Sequence, residues 1–257
     1  ENNRRYCTLN CLRGLLYGGE LDQACPNFLD HGTTRHVINA KSFIKLLRHQ
    51  LSKTVNADCE VLGIHGSCGV LLKVTLSSHG YTVPAKCTVP EFSEHLRHEA
   101  AIYDKLRPIQ GIYIPFYLGS IDLVHPYSYD GIAILKHMML LSPGGQPLDL
   151  ALKEMTQNCL IAKMKESLSG IHRLNVLHKD PAPRNWLYNP ESKKVVFFDF
   201  EMAEIIDLRP ILGIISPNGK RKLTPYDGLD EKLHSGFARE TNKAVQELRC
   251  WNRQVRF

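Results

Sequence analysis

Apolar residues recur along the chain with two different periods, and these periods outline its elements. Residues 40–53 and 159–174 have apolar positions at helical spacing, and a third such stretch covers residues 231–251. Shorter stretches are alternating or continuously apolar, as strands are; they cover residues 60–74, 81–86, 112–119, 131–135 and 195–200. The segment between the third and fourth of these, residues 125–129, reads as a turn. Strands mixed with helices predict an α+β fold.

A proline-stiffened polar loop followed by an apolar strand carries the densest chemistry. The loop reads His178-Lys179-Asp180-Pro181-Ala182-Pro183-Arg184-Asn185, and the strand ends in a carboxylate, Asp199. Residues 186–188 and a turn at 189–192 predict a short hairpin between them. We expect that hairpin to bring Asp180, Asn185 and Asp199 together. Oxygen ligands of this kind suit Mg²⁺.

Three glycines and a lysine precede this loop in the sequence. Gly63, Gly66 and Gly69 separate two predicted strands, where glycine lets backbone N–H groups approach a phosphate. A plain hairpin turn is the alternative interpretation. Lys86 ends a later strand, and Glu99 lies on a predicted helix over residues 91–106.

Together these residues resemble the H-x-D-x-x-x-x-N loop, the D-F-G strand end and the glycine, lysine and glutamate set of protein kinases. Glu201 stands where that family has glycine, and little sequence follows it. The chain is therefore most similar to aminoglycoside-phosphotransferase-like and fungal protein-kinase-like proteins. The resemblance implies a compact two-lobed protein-kinase-like fold with a truncated C-lobe.

The resemblance also implies roles for these residues. Asp180 would orient an attacking hydroxyl, Asn185 and Asp199 would hold Mg²⁺, and Lys86, braced by Glu99, would bind ATP. The glycines that would line the phosphates are Gly63, Gly66 and Gly69. The implied function is an ATP- and Mg²⁺-dependent phosphotransferase with an unknown acceptor. Two alternatives remain open: a nucleotide-binding pseudokinase, and a kinase fold repurposed for tRNA-dependent amide synthesis.

Three domains follow from these patterns. Residues 1–55 form an N-terminal Cys/His segment and helix, residues 56–143 an N-lobe, and residues 144–257 a reduced C-lobe with a basic tail. The basic amphipathic stretch at residues 40–53 is expected to cap a domain.

Cysteine and histidine near the start have the composition of a zinc site. Cys7 and Cys11 are four residues apart, so on a helix they share a face, and Cys25 and His31 follow. Three thiolates and an imidazole make a tetrahedral set for structural Zn²⁺. Three buried cysteines and a surface histidine are the alternative.

Charge and composition restrict the partners only weakly. The net charge is +6, which fits either a solvated surface or a face that binds a nucleotide, a phosphorylated substrate or RNA. Basic residues concentrate at 220–222 and at Arg249, Arg253 and Arg256. The eight cysteines, with no apparent secretory signal, predict a reducing, cytoplasmic location. We expect no membrane span, since no apolar run is long enough.

Overall fold

The computed structural model describes residues 4–66, 68–206 and 225–255, and the chain divides into two units, Glu1–Gly145 and Gln146–Phe257. Helices and antiparallel strands make up both units, which confirms the α+β prediction. The basic cluster at residues 220–222 and Arg256 lie outside the described residues.

Unit one is built on a five-stranded antiparallel sheet. Its strands are β1 (Cys59–His65), β2 (Val70–Leu76), β3 (Tyr81–Thr88), β4 (Tyr117–Tyr129) and β5 (Ala133–Leu141). They follow the order β1-β2-β3-β5-β4. The helices are α1 (Leu9–Tyr17), α2 (Phe28–His31), α3 (Ala40–Asp58) and α4 (Ser93–Lys105), with 3-10 turns at Pro90–Phe92 and Arg107–Ile109.

One apolar face of α3 explains how this unit packs. Phe43, Leu47 and Leu51 recur at helical spacing and are almost fully buried, in the same core as the inward-facing residues of β2 and β3. The cysteines that precede α3 belong to that core as well. Helix α3 therefore packs its apolar face into the core of unit one.

The end of β4 differs from the prediction. Residues 125–129, predicted as a turn, continue the strand to Tyr129, because the ladder with β5 shifts register around Pro126 and does not need its missing N–H. The chain instead reverses at Asp130-Gly131, where φ is 45° and 71°. Two central residues with positive φ are what a tight hairpin turn requires, and an Asp-Gly pair is its usual sequence.

The beginning of β4 also differs, because residues 112–116, predicted as strand, precede β4 and include part of a turn at residues 111–113. Gly111 has φ of 74° and donates its N–H to the carbonyl oxygen of Ile114 at 2.7 Å. A Cβ at Gly111 would lie 2.2 Å from Cζ of the buried Phe116 ring. The turn therefore needs glycine for both its backbone conformation and its space.

We expect Gly111→Ala to lower the free energy of unfolding by about 2–4 kcal/mol, the sum of backbone strain and overpacking. Gly131→Ala is the matched control, because φ there is 71° and nothing lies within 4 Å of the added Cβ. That control should cost only about 1 kcal/mol. Urea denaturation of both variants measures the difference, and equal losses would contradict the steric argument.

Unit two combines helices with short strands. Its strands are β6 (Gln146–Pro147), β7 (Val176–Leu177), β8 (Trp186–Asn189), β9 (Lys194–Phe197) and β10 (Glu204–Ile205), and its helices are α5 (Leu148–Glu154), α6 (Gln157–His172) and α7 (Pro225–Val255). The predicted hairpin is confirmed as β8 and β9, in which Trp186 faces Phe197. Among the residues with a described position, no helix is long and apolar enough to cross a membrane.

Candidate functional site

Three cysteines and a histidine converge in unit one. Cys7, Cys11, Cys25 and His31 are each no more than 1% exposed, and their ligand atoms all lie within 4.8 Å of one another. The prediction that Cys7 and Cys11 share a helix face is wrong, because α1 begins at Leu9 and Cys7 precedes it. Cys7 instead reaches the cluster from extended backbone, where its N–H donates to the carbonyl oxygen of Thr82 at 3.0 Å.

The distances within this cluster fit a tetrahedral zinc ion. Nε2 of His31 lies 3.5 Å from Sγ of Cys7 and 3.4 Å from Sγ of Cys25. Bond lengths of about 2.3 Å to sulfur and about 2.0 Å to nitrogen would place tetrahedral ligands about 3.6 Å apart. The donor atoms therefore stand close to where a single ion would hold them.

Neighbouring groups orient the ligands. Nδ1 of His31 donates to the carbonyl oxygen of His79 at 2.7 Å, which turns Nε2 toward the cysteines. The backbone N–H of Thr82 lies 3.4 Å from Sγ of Cys7, and Nδ2 of Asn27 lies 3.7 Å from it. The Tyr81 ring stacks on the imidazole with centroids 4.0 Å apart. These contacts fix the position of the Cys7 sulfur and the orientation of the His31 ring.

Hydrogen bonds within the cluster shift the pKa values of Cys11, Cys25 and His31. Hydrogen bonds from Cys11 and Cys7 hold the pKa of Cys25 well below its usual value, while the same contacts raise the pKa of Cys11. Burial acts to lower the pKa of His31, but its hydrogen bonds with Cys25 and Cys7 outweigh burial and raise it to about 10. The cluster thus favours a thiolate at Cys25, whose negative charge is balanced by a positive charge on the neighbouring His31.

The three glycines lie around the turn between β1 and β2. Gly63 has φ of 68° where the ladder between these strands shifts register. The N–H of Gly66 donates to the carbonyl oxygen of Gly69 at 2.9 Å, which closes a hairpin turn. The Gly66 amide is therefore engaged within the turn, which is what the alternative interpretation of a plain hairpin turn expects.

Lys86 and Glu99 meet directly in the same unit. Nζ of Lys86, on β3, lies 2.8 Å from Oε2 of Glu99, on α4. The Glu99 side chain is 1% exposed, so a neighbouring cation is needed to keep its charge inside the fold. The pair therefore joins the sheet to α4.

The polar loop of unit two is bonded largely to itself. Nδ2 of Asn185 donates to both the carbonyl oxygen and Oδ2 of Asp180, each at 2.9 Å. Nη2 of the exposed Arg184 lies 2.9 and 2.7 Å from the two carboxylate oxygens of Asp180. The N–H of Phe198 donates to the carbonyl oxygen of Asn185 at 3.1 Å, which sets Asp199 beside the loop with φ of 64°.

His178 supports this loop from within the core. It is fully buried, its Nε2 donates to the carbonyl oxygen of Phe198 at 3.1 Å, and its ring lies against Phe197 and Phe200. Burial lowers the pKa of His178, so the imidazole stays neutral near pH 7. The histidine therefore positions backbone.

The sequence analysis missed Glu240 of α7, which holds the start of the loop. Its Oε1 accepts the N–H of Lys179 at 2.6 Å, and its Oε2 accepts the N–H of His178 at 3.2 Å. Oε2 also lies 2.7 Å from Nε2 of His172 at the end of α6. Glu240 lies four residues before the buried Ala244, so an acid on the apolar face of α7 was the available signal.

Comparison with known proteins shows a similarity that covers most of this chain. The chain matches no protein-family model. It is similar to a meiotic driver, SPOK2 of Podospora anserina, with 33% identity over 208 residues. The match covers 79% of this chain and 26% of the relative, so the chain corresponds to about a quarter of that protein's length.

This relationship corrects the sequence-based identification. The prediction of a fungal protein-kinase-like, aminoglycoside-phosphotransferase-like protein is wrong, and so is the prediction of an ATP- and Mg²⁺-dependent phosphotransferase, because the relative is a meiotic driver. The alternatives of a pseudokinase and of tRNA-dependent amide synthesis fall under the same correction. The identification rested on a small number of motif residues. One of them, Asp180, has both carboxylate oxygens bonded to Arg184.

Proposed function

We propose that this chain contributes a zinc-stabilised domain to a meiotic driver. The observation that carries the proposal is the similarity to SPOK2, a meiotic driver, over most of this chain. The buried Cys7, Cys11, Cys25 and His31 cluster supports the zinc. Four protein ligands leave no open coordination position, so the ion would be structural.

Zinc would join parts of the unit that have little regular structure of their own. The ligands come from the chain before α1, from α1, from the loop before α2 and from α2 itself. Their hydrogen-bonded neighbours are His79, in the turn between β2 and β3, and Thr82, near the start of β3. One ion would therefore fix the N-terminal segment onto the sheet, and a cytoplasmic location would keep its thiols reduced.

The finer fold prediction also remains a proposal. We infer a compact two-lobed chain path of the protein-kinase type with a reduced C-lobe, and this concerns the backbone alone. It is supported in unit one by an antiparallel sheet with α4 between β3 and β4, and in unit two by a polar loop followed by a hairpin. An experimental structure would test it. The predicted binding of ATP and Mg²⁺ stays a prediction and has no part in the proposal.

A genetic cross tests the proposal. The gene for the full protein, placed in one parent of a fungal cross, should be carried by well over half of the surviving progeny. Transmission at the Mendelian half would contradict a role in drive.

Matched cysteine variants separate the zinc from the drive. Cys25→Ser should return transmission toward one half, whereas Cys159→Ser, at an exposed cysteine outside the cluster, should leave it biased. If a Cys25→Ser protein without zinc still showed full drive, the proposed need for zinc would be contradicted, while the proposed role in drive would stand.

A further inference from the structure

Helix α3 presents an uncompensated basic stripe to solvent. Lys41, Lys45, Arg48 and His49 are exposed and lie on the side of the helix opposite its buried apolar residues. No ion pair to any of them occurs within the described parts of the chain. The one acidic residue of α3 is Asp58 at its C-terminal end, and it is bonded to Ser77.

A surface cavity continues the stripe at the N-terminal end of α3. Its volume is about 510 Å³, within the size range of ligand pockets. Lys41 belongs to both features, and Tyr17, Tyr117 and Arg107 also line the cavity. Tyr17 is 57% exposed and its ring rests edge-on against Phe116, with centroids 6.2 Å apart.

The charges in the cavity leave a positive balance. Asp104 also lines it, and its carboxylate pairs with the guanidinium of Arg107 at 2.5 Å. The amide oxygen of Asn39 is used as well, since it caps α3 by accepting the N–H of Ser42 at 2.9 Å. Within the described residues, Lys41 is therefore the cation of this cavity that has no ion-pair partner, and Tyr17 also lines the cavity.

We propose that the α3 stripe and this cavity bind a single-stranded nucleic acid. Phosphates would lie along Lys41, Lys45 and Arg48, and a base would stack on Tyr17. Cations that follow a backbone, together with aromatic side chains on which bases stack, are the features that recognise single strands. This surface is separate from the zinc cluster, and the inference goes beyond the proposed function.

An anionic membrane fits the surface less well. A helix that binds a membrane interface exposes an apolar face beside its charges. Phe43, Leu47 and Leu51 of α3 are buried in the core, and the exposed large apolar side chains of the described residues lie outside α3. The stripe therefore presents positive charge without an apolar side chain that could insert into a membrane.

Binding of labelled oligonucleotides tests the charge component. The chain should bind short oligouridine and oligothymidine, and log Kd should depend linearly on log salt between about 50 and 200 mM. Changing Lys41, Lys45 and Arg48 together to alanine should reduce the slope by about 2 and weaken binding at least about tenfold at low salt. Fluorescence anisotropy measures both.

A second triple variant controls for net charge. Lys136→Ala, Lys165→Ala and Arg173→Ala together remove the same charge from exposed residues that are not part of α3 and should leave the slope nearly unchanged. Equal loss in both triples would overturn the inference, because binding would then follow net charge. So would binding to phosphatidylserine vesicles without binding to oligonucleotides.

The stacking component has its own matched pair. Tyr17→Ala should weaken oligonucleotide binding about tenfold with the salt slope unchanged, and Tyr17→Phe should retain wild-type affinity. Circular dichroism checks that both variants are folded. Equal affinity for a duplex of the same length, or an unaffected Tyr17→Ala, would overturn the assignment to single strands.

Discussion

Replacing Cys25 with serine is expected to release zinc from the chain and to unfold the N-terminal segment of unit one. Serine removes the thiolate that accepts hydrogen bonds from the other ligands and lies 3.4 Å from Nε2 of His31. Structural zinc binds zinc-finger peptides with about 10–16 kcal/mol, and that binding energy is available to folding. Because the sheet of unit one has its own apolar core, we expect the free energy of unfolding to fall by only part of that amount, about several kcal/mol.

Metal analysis and thermal unfolding measure the two parts of this expectation. The wild-type chain should contain one zinc ion, and a chelator should lower its melting temperature to that of Cys25→Ser. Cys159→Ser is the control, because this exposed cysteine lies on α6 outside the cluster. Zinc retained at one ion per chain by Cys25→Ser, or a wild-type chain that melts identically with and without chelator, would contradict the structural role.

Residue type and spacing were enough to identify the Cys/His cluster, because few side chains share its chemistry. The route of the chain into it was not predictable in the same way. Cys7 lies before α1 and is held by hydrogen bonding to Thr82, a residue far along the sequence. Long-range backbone pairing of this kind leaves no local pattern.

The polar loop shows the opposite case. Its residues predicted the hairpin and the meeting of Asp180 with Asn185, since both depend on local turn chemistry. They did not predict function, because a short motif states which groups meet and not what they act on. The anchor of the loop, Glu240, lies on α7, 61 positions after Lys179 in the chain. A single acid in an amphipathic helix reads as surface until its partners are known.

Removal of Glu240 should destabilise unit two by about 3–5 kcal/mol. Glu240→Ala would leave the backbone N–H groups of His178 and Lys179 and the imidazole of His172 without their acceptor in a buried setting. Both tryptophans of the chain, Trp186 and Trp251, belong to unit two, so tryptophan fluorescence during urea denaturation reports on this unit.

The contribution of Glu240 to the free energy of unfolding should depend on pH in a defined direction. Burial acts to raise the pKa of Glu240, but hydrogen bonds from His172 and from the N–H of Lys179 outweigh it and lower the pKa below its usual 4.5. A lowered pKa stabilises the fold fully above the unfolded value and loses that stabilisation as the pH falls through the folded value. The wild-type chain should therefore lose unfolding free energy below about pH 4.5, and Glu240→Ala should lack this part of the loss.

Glu247→Ala is the control on the same helix, because Glu247 pairs with the exposed Lys243 at 3.7 Å near the surface. It should change the unfolding free energy by no more than about 0.5 kcal/mol at any of these pH values. Glu240→Gln keeps one acceptor oxygen without the charge, so its loss should fall between those of the two alanine variants. If Glu240→Ala were as stable as Glu247→Ala, the loop would hold its position without α7, and its internal hydrogen bonds between Asp180 and Asn185 would be sufficient.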